Sequence, residues 1–181
     1  MELQISYIES MNLNPKAVLA THGHIDHIIG VAELCSYFDI PFYIHRDDVN
    51  LLSDSELSKV RLFIGDLNVE FRYPDGFLEE GGQNIGGFDV EIIHTPGHTY
   101  GSVCIKVGDK IFTGDTIFRE SIGRTDFGGD INLLVESIHK KLFEEPDDIM
   151  LYPGHGPTTT VGHEKIHNPF VGINGIYPYK E

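Results

Sequence analysis

The hydrophobic positions at the start of the chain alternate between helical and strand-like spacing. Residues 3–12 carry apolar side chains three or four positions apart, which predicts a helix. The apolar run at 17–21 predicts a strand, and the helical spacing from His27 to about Phe38 predicts a second helix. Residues 41–44 predict another short strand. This order of strand, helix and strand is typical of a chain that mixes both element types.

The middle of the chain, about 46–88, has the weakest periodicity. Asp47 and Asp48 are expected to cap a short helix that reaches Leu52, because aspartate accepts hydrogen bonds from the first helical N–H groups. A weak helical pattern covers 56–64. We expect little regular structure elsewhere in this part.

Short strands follow a pair of glycine-rich segments. Gly81-Gly82 and Gly86-Gly87 are expected to bracket a tight turn. The strands predicted after it are Phe88–Thr95, Ser102–Val107 and Lys110–Thr113. Gly108-Asp109, between the last two strands, is a hairpin signal because glycine accepts the positive φ of such turns. The pattern predicts an antiparallel series.

The last third predicts one more helix and one more strand. Asp130–Phe143 has an amphipathic pattern that begins at a capping aspartate, and Ile149–Tyr152 predicts a short buried strand. No long periodic segment is apparent after that strand. Strands flanked by helices, without regular repetition, indicate two sheets with helices packed outside. We expect one domain over residues 1–181.

Composition and charge exclude several classes of function. The 181 residues are 40% hydrophobic and 23% charged, as in an ordinary globular protein, and the formal net charge is -15. Such an acidic chain is a poor partner for nucleic acid or an anionic membrane, because phosphate binding needs clustered Lys and Arg. No apolar run approaches a membrane span, and no signal peptide is visible. We expect a cytoplasmic protein.

The two cysteines do not predict a metal site or a disulfide. Cys35 and Cys104 both lie in apolar sequence, and they are not spaced as a Cys-x-x-Cys pair. Buried free thiols are therefore the favoured interpretation.

The richest candidate chemistry lies directly after the first predicted strand. His22, His24, Asp26 and His27 fall within six consecutive residues. Imidazole nitrogens and carboxylate oxygens are ligands that Zn²⁺ and Fe²⁺ accept. On an extended backbone His22 and His24 point the same way, whereas Asp26 and His27 lie where a helix begins. The segment can therefore supply ligands to two neighbouring metal ions.

Three later positions repeat the same arrangement of one ligand-type side chain just after a strand. His98 lies in a Pro-Gly turn, Asp115 follows Gly114, and His155 follows Pro153-Gly154. Taken singly, each has an ordinary structural role in a turn. Their occurrence together with the histidine tract favours a metal centre built from both halves of the chain.

This set of residues resembles the ligand set of the metallo-β-lactamase fold superfamily over residues 17–170. The resemblance implies an α+β protein with an αβ/βα sandwich and the site at one edge between two sheets. By resemblance, the first metal would be held by His22, His24 and His98, and the second by Asp26, His27 and His155. Asp115 would bridge both. The first sheet is expected to be incomplete at the N-terminus, and a second subunit, forming a homodimer, could cover its edge.

Within the superfamily, three sequence segments resemble those of the glyoxalase II-type hydrolases. The segments are 121–127, 152–159 and Asn168-Pro169-Phe170. That group uses an aspartate as the bridging ligand and cleaves thioesters of hydroxy acids, whereas the lactamases proper usually have cysteine at the position of Asp115. β-Lactam hydrolysis is therefore disfavoured. Few basic residues follow His155 to bind glutathione, so glutathione is less expected as the thiol carrier.

The resemblance implies a metal-dependent hydrolase acting on a small-molecule thioester. Two divalent metal ions, with zinc expected and iron or manganese as alternatives, would share a hydroxide that attacks the carbonyl carbon. Asp26 would bind one metal and orient that nucleophile. One alternative is a persulfide dioxygenase with a single iron on His22, His98 and Asp115. Another is a truncated or non-catalytic metal-binding relative.

Several other residues have weaker predictions. Tyr100 is expected either to line the substrate pocket or to lie in the core, and Arg124 is expected to pair with an aspartate. Five further histidines are not expected to bind the metals: His45, His94, His139, His163 and His167.

Overall fold

The computed structural model describes residues 2–53 and 70–180. The first part contains α1 (Glu2–Ser10), β1 (Val18–Leu19), α2 (Ile25–Ile28), α3 (Val31–Phe38), β2 (Phe42–Ile44) and a 3₁₀ helix (Arg46–Leu51). It is followed by β3 (Gly76–Phe77), β4 (Gly81–Ile85), β5 (Phe88–His94), β6 (Val103–Val107), β7 (Lys110–Gly114), β8 (Ile117–Phe118) and β9 (Ser121–Ile122). The last elements are α4 (Ile131–Ser137), a π-helical turn (Ile138–Leu142), β10 (Met150–Pro153), β11 (Thr159–Thr160) and α5 (Val161–His167).

The strands form two main sheets and a small hairpin. The first sheet has the order β1-β2-β3, with all neighbours parallel. The second sheet has the order β11-β10-β7-β6-β5-β4 and is antiparallel except for the pair β10 and β7. β8 and β9 pair with each other. The predicted α+β sandwich is confirmed, and the parallel pairing of β7 with β10 brings their C-terminal ends together.

The core lies on both faces of the six-stranded sheet. On one face, Leu134 of α4 and Ile138 and Leu142 of the following turn pack against the sheet residues Ile111 and Leu151. The opposite face contributes a second apolar cluster, against which Leu19 of β1 and Tyr43 of β2 pack. Because that second cluster is shared, the two sheets face each other. The ends of β1, β7 and β10 then border one region.

Several predicted element boundaries need correction. The helix expected from His27 to Phe38 is two helices, α2 and α3, separated at Gly30. The 3₁₀ helix is capped by His45, whose ring accepts from the backbone N–H of Asp47, and not by Asp47 or Asp48. Gly81-Gly82 belongs to β4 and does not begin a turn, because it pairs with β5.

The C-terminal part contains a helix that the apolar pattern did not reveal. In α5, Thr160 caps the first turn and the buried residues are Val161 and Glu164. A buried glutamate breaks the apolar spacing that identifies a helix, which explains the omission. The weak helical prediction for 56–64 lies outside the described residues.

Other general expectations have mixed outcomes. Cys35 and Cys104 are both free and buried, as predicted. No helix in residues 2–53 and 70–180 is long and apolar enough to cross a membrane. β1 lies at the edge of the first sheet; its coverage by a second subunit stays a prediction, as do the single-domain organisation and the cytoplasmic location.

Candidate metal centre

The histidine tract leaves β1 in an extended conformation and then enters α2. His24 is the residue before α2 and has extended backbone angles, with φ −69° and ψ 147°. Asp26 and His27 follow in the first turn of that helix. The expectation that a helix begins at Asp26 and His27 is confirmed, whereas metal binding by the four residues stays a prediction.

His98 lies in a tight turn between β5 and β6. The turn is closed by a hydrogen bond from the N–H of Thr95 to the carbonyl of Ser102. The ring of His98 is 3% exposed, and its Nδ1–H donates to the carbonyl oxygen of Arg124 over 2.7 Å. Because a carbonyl oxygen can only accept, Nδ1 carries the proton of the neutral ring and Nε2, which lies 2.8 Å from Nδ1 of His24, carries the lone pair that would bind a metal.

Gly97 makes this turn possible, which gives a testable prediction. Its φ is +142°, and a Cβ there would overlap the backbone of Leu134 in the middle of α4. We expect Gly97→Ala to lower the free energy of unfolding by at least about 2 kcal/mol, from strain and overpacking together. Gly108→Ala, at φ +60° with open space, is the control and should cost only about 1 kcal/mol. Equal losses in urea denaturation would contradict this explanation.

Asp115 and His155 meet because β7 and β10 run parallel. The N–H of Gly154 donates to the carbonyl of Gly114 over 2.8 Å, so the two strand ends are joined just before these residues. A Cβ on Gly154 would lie 2.5 Å from Oδ1 of Asp115 and 2.6 Å from the ring of His27. Glycine is therefore required for the strand end to approach the site.

The structure brings all seven predicted ligands into one constellation. Among the described residues, groups whose ligand atoms lie within 4.8 Å of one another include His22–His24–His98, His22–His27–Asp115 and Asp26–His27–His155. The first and third groups match the two expected sets. The second contains Asp115, whose Oδ2 lies 3.7 Å from Nε2 of His98 and 3.6 Å from Nε2 of His155. Asp115 thus lies between the two sets, although its metal-bridging role stays a prediction.

Unpaired buried atoms show that the residues fit metal ions. Within the described ranges, three buried side-chain atoms have no hydrogen-bond partner: His22 Nε2, His27 Nε2 and Asp115 Oδ1. His27 Nε2 and Asp115 Oδ1 are 3.2 Å apart, but they are not aligned as a hydrogen bond. Leaving buried polar atoms unpaired is costly, and coordination to a cation would satisfy all three.

Electrostatics keep two imidazoles of the first set, those of His22 and His24, neutral. Burial lowers the pKa of His22 far below its usual value, and His27 and His98 lower it further. Burial also lowers the pKa of His24, and the nearby His98 acts in the same direction. Neutral imidazole is the form that binds a metal, so these shifts favour metal binding at neutral pH.

At the second set and Asp115, burial and neighbouring charges shift the pKa values in opposite directions. Burial lowers the pKa of His27, but Asp115 and Asp26 together outweigh burial and raise that pKa above its usual value. Burial raises the pKa of Asp115, while His27, His98 and His155 together lower it by more, so the carboxylate stays ionised. The side chains of Asp26 and His155 are 55% and 58% exposed. The site therefore has a buried side at the first set and an open side at the second.

The remaining candidates fall outside the constellation. Tyr100 is exposed beside the His98 turn, so the core alternative is wrong. Arg124 forms two hydrogen bonds with Asp126, as the predicted ion pair requires. His45 and His94 stack on each other with ring centroids 4.1 Å apart. The other three histidines lie on or beside helices elsewhere: His139, His163 and His167.

Sequence reasoning missed the groups that support the ligands. The carbonyl of Arg124 is a backbone atom, so no residue type indicates its contact with His98. Asp48 was assigned to a helix cap, but its carboxylate is buried and contacts the loops of both His24 and His98. These contacts join residues that are far apart in the chain, so sequence spacing does not reveal them.

Comparison with known proteins places the chain among metal-dependent hydrolases. The family model described as "Metallo-beta-lactamase superfamily" matches residues 1–155. The chain is 40% identical over 174 residues to "Probable metallo-hydrolase YqgX" of Bacillus subtilis, covering 94% of this chain and 81% of that protein. It is 38% identical over 175 residues to "Hydroxyacylglutathione hydrolase GloC" of Haemophilus influenzae, covering 94% and 82%.

Solved structures give the same fold. The "BLEG-1 B3 metallo-beta-lactamase" superposes with a TM-score of 0.87 at 39% identity, covering 93% of this chain and 82% of that chain. "TTHA1623 in a di-iron-bound form" superposes with a TM-score of 0.81 at 35% identity, covering 94% and 84%. Both levels of identity are high enough to relate the chains as well as the folds.

Proposed function

We propose, because the chain belongs to the metallo-β-lactamase superfamily, that this metal-dependent hydrolase cleaves a thioester bond in a small-molecule substrate. The observation that carries the proposal is the overlap of ligand groups around Asp115. His22 and His27 each belong to two of the groups, and Asp115 lies between the outer two. A constellation of this kind can hold two ions close together.

The proposed ligands form two sets, and each set would hold one metal ion. His22, His24 and His98 would hold the first ion, and Asp26, His27 and His155 would hold the second. Asp115 would contact both. When bound, two divalent ions supply a water of lowered pKa and an electrophile for the substrate carbonyl. Asp26, on the open side, would bind the second ion and orient the nucleophile that the ions supply.

The leaving group explains why a thioester suits this site. A thiolate has a conjugate acid of pKa about 8.5, so it departs without a strong general acid. Both cysteines are buried, and the proposed mechanism requires no serine or cysteine nucleophile. The name of the related GloC protein supports a hydroxyacyl thioester as the substrate class.

The metal is proposed as zinc, with iron and manganese as competitors that the same ligands accept. Histidine and carboxylate ligands suit all three ions. The related TTHA1623 structure is of a di-iron form, which makes iron the first competitor to test. Metal loading therefore belongs in the functional experiment.

One experiment tests metal content and reaction together. The purified chain is stripped of metal, reloaded with Zn²⁺, Fe²⁺ or Mn²⁺, and analysed for metal stoichiometry. Each form is then assayed on a panel of thioesters that includes hydroxyacylglutathione, on a β-lactam, and on glutathione persulfide with oxygen consumption as the readout. We expect two ions per chain and thioester cleavage to exceed β-lactam cleavage.

Each other outcome contradicts a defined part of the proposal. One iron per chain with oxygen consumption would identify a dioxygenase. Preferential β-lactam cleavage would replace the substrate class while leaving the dinuclear site. Two bound ions without turnover on any of these substrates would indicate a non-catalytic relative.

A further inference from the structure

We propose that Asp48 is a positioning residue that locks the two loops carrying the first set of metal ligands into one geometry. The inference rests on the proposed metal centre but not on the choice of substrate. Asp48 lies in the 3₁₀ helix after β2, and its side chain is 1% exposed. A carboxylate so deeply buried requires several hydrogen-bond donors.

The donors come from both ligand-bearing loops. Oδ2 of Asp48 accepts from the N–H of Gly23, which lies between His22 and His24, over 2.8 Å. The same oxygen accepts from Oγ1 of Thr99, directly after His98, over 2.7 Å. Oδ1 accepts from the N–H of Gly101 over 2.7 Å. One carboxylate thus joins a loop after β1 to a loop after β5.

The two glycines are part of this arrangement because they allow the backbones to approach Asp48. A Cβ on Gly101 would lie 2.6 Å from Cγ of Asp48, and a Cβ on Gly23 would lie 3.0 Å from the carbonyl oxygen of Asp48. Larger residues at either position would separate the loops. The contacts are therefore built into the loops by residue type as well as by hydrogen bonding.

The consequence for the metal ligands is a fixed distance between two segments that are far apart in the sequence. His24 Nδ1 and His98 Nε2 lie 2.8 Å apart, within hydrogen-bond distance, and both belong to the first set of proposed ligands. The three hydrogen bonds of Asp48 add to the direct contact between the two imidazoles, so their loss would let the distance between the two loops vary more. Charged hydrogen bonds are the stronger kind, so a single carboxylate can perform this role.

A matched pair of variants separates positioning from general stability. Asp48→Asn keeps the size of the side chain but loses one of its acceptor oxygens. Glu164→Gln makes the same change at another fully buried carboxylate, which accepts from the N–H of Glu120, Oγ1 of Thr159 and the amide of Asn168. None of those partners adjoins a proposed metal ligand. Both variants are expected to unfold more easily than the parent chain.

The readout is Co²⁺ binding followed by calorimetry and by visible absorption. We expect Asp48→Asn to weaken one of two binding events by about 10- to 100-fold and to alter the absorption of that site. Glu164→Gln should leave both affinities unchanged. Thr99→Val removes one of the three hydrogen bonds and should produce a smaller loss, which keeps the test usable if Asp48→Asn does not fold.

Two results would overturn the inference. Asp48→Asn and Thr99→Val could both bind Co²⁺ with the parent affinity and spectrum, or Glu164→Gln could weaken binding as much as Asp48→Asn. Failure of the parent chain to bind two ions would instead contradict the proposed metal centre, so the two failures can be told apart.

Discussion

Asp115→Asn is expected to lower kcat/KM for a thioester by at least about 1,000-fold, equivalent to about 4 kcal/mol of transition-state stabilisation. Asparagine has nearly the shape of aspartate, but its amide nitrogen has no lone pair for a metal, and the negative charge is lost. The carboxylate is 12% exposed and lies within 3.7 Å of His27, His98 and His155. Removing this carboxylate would therefore weaken the binding of both proposed ions.

Asp109→Asn is the matched control because it lies at the opposite end of the same strand. Asp109 is exposed in the hairpin before β7, where it pairs with Lys110. It should leave kcat/KM and metal content unchanged. Metal stoichiometry and steady-state kinetics are measured on both variants, with circular dichroism to establish that each is folded. An Asp115→Asn variant that retained a tenth of the parent activity would exclude a bridging role.

The candidate metal ligands could be proposed from sequence because each lies directly beside a helix or strand that the apolar pattern predicts. The strands before the histidine tract and before Asp115 have continuous apolar patterns, and glycine marks the close approach at 114 and 154. Spacing within the tract then decides which side chains share a direction. These are local properties, so the sequence alone predicts them.

The supporting contacts could not be predicted, because they are tertiary. Asp48 has a local pattern that favours a helix cap, and only the folded chain brings it to Gly23 and Thr99. Glu164 likewise interrupts an apolar pattern. Its buried carboxylate is stabilised by three hydrogen-bond donors, from Glu120, Thr159 and Asn168. Buried polar groups are positions where local propensity and tertiary structure disagree.

Metal-free protein is expected to lose stability as the pH falls below about 6.5, the usual value for histidine. The pKa of His22 is lowered by burial and by its neighbouring histidines, so the folded state keeps it neutral while the unfolded chain binds a proton. Below pH 6.5 the unfolded state therefore binds more protons, and stability falls by about 1.4 kcal/mol per pH unit from this group. His24 acts in the same direction. His27 is protonated in both states there and adds no slope.

Zn²⁺ should reverse this loss near neutral pH and be less effective in acid. Free metal at 1,000 times its dissociation constant stabilises the folded state by about 4 kcal/mol at one site. Binding requires neutral imidazole and ionised carboxylate, so its affinity should decline as protons compete for the ligands. Urea denaturation at several pH values, with and without Zn²⁺, measures both effects on the same protein.

His22→Gln removes the buried imidazole and should therefore flatten the pH dependence of the metal-free protein as well as reduce the stabilisation by Zn²⁺. His167→Gln changes an exposed histidine in α5 and should alter neither quantity. The two effects of His22→Gln have one cause, because the imidazole that burial keeps neutral is the same imidazole whose Nε2 is unpaired. Flattening of the pH dependence without loss of metal stabilisation would show that His22 is a buried structural histidine and would remove it from the metal centre.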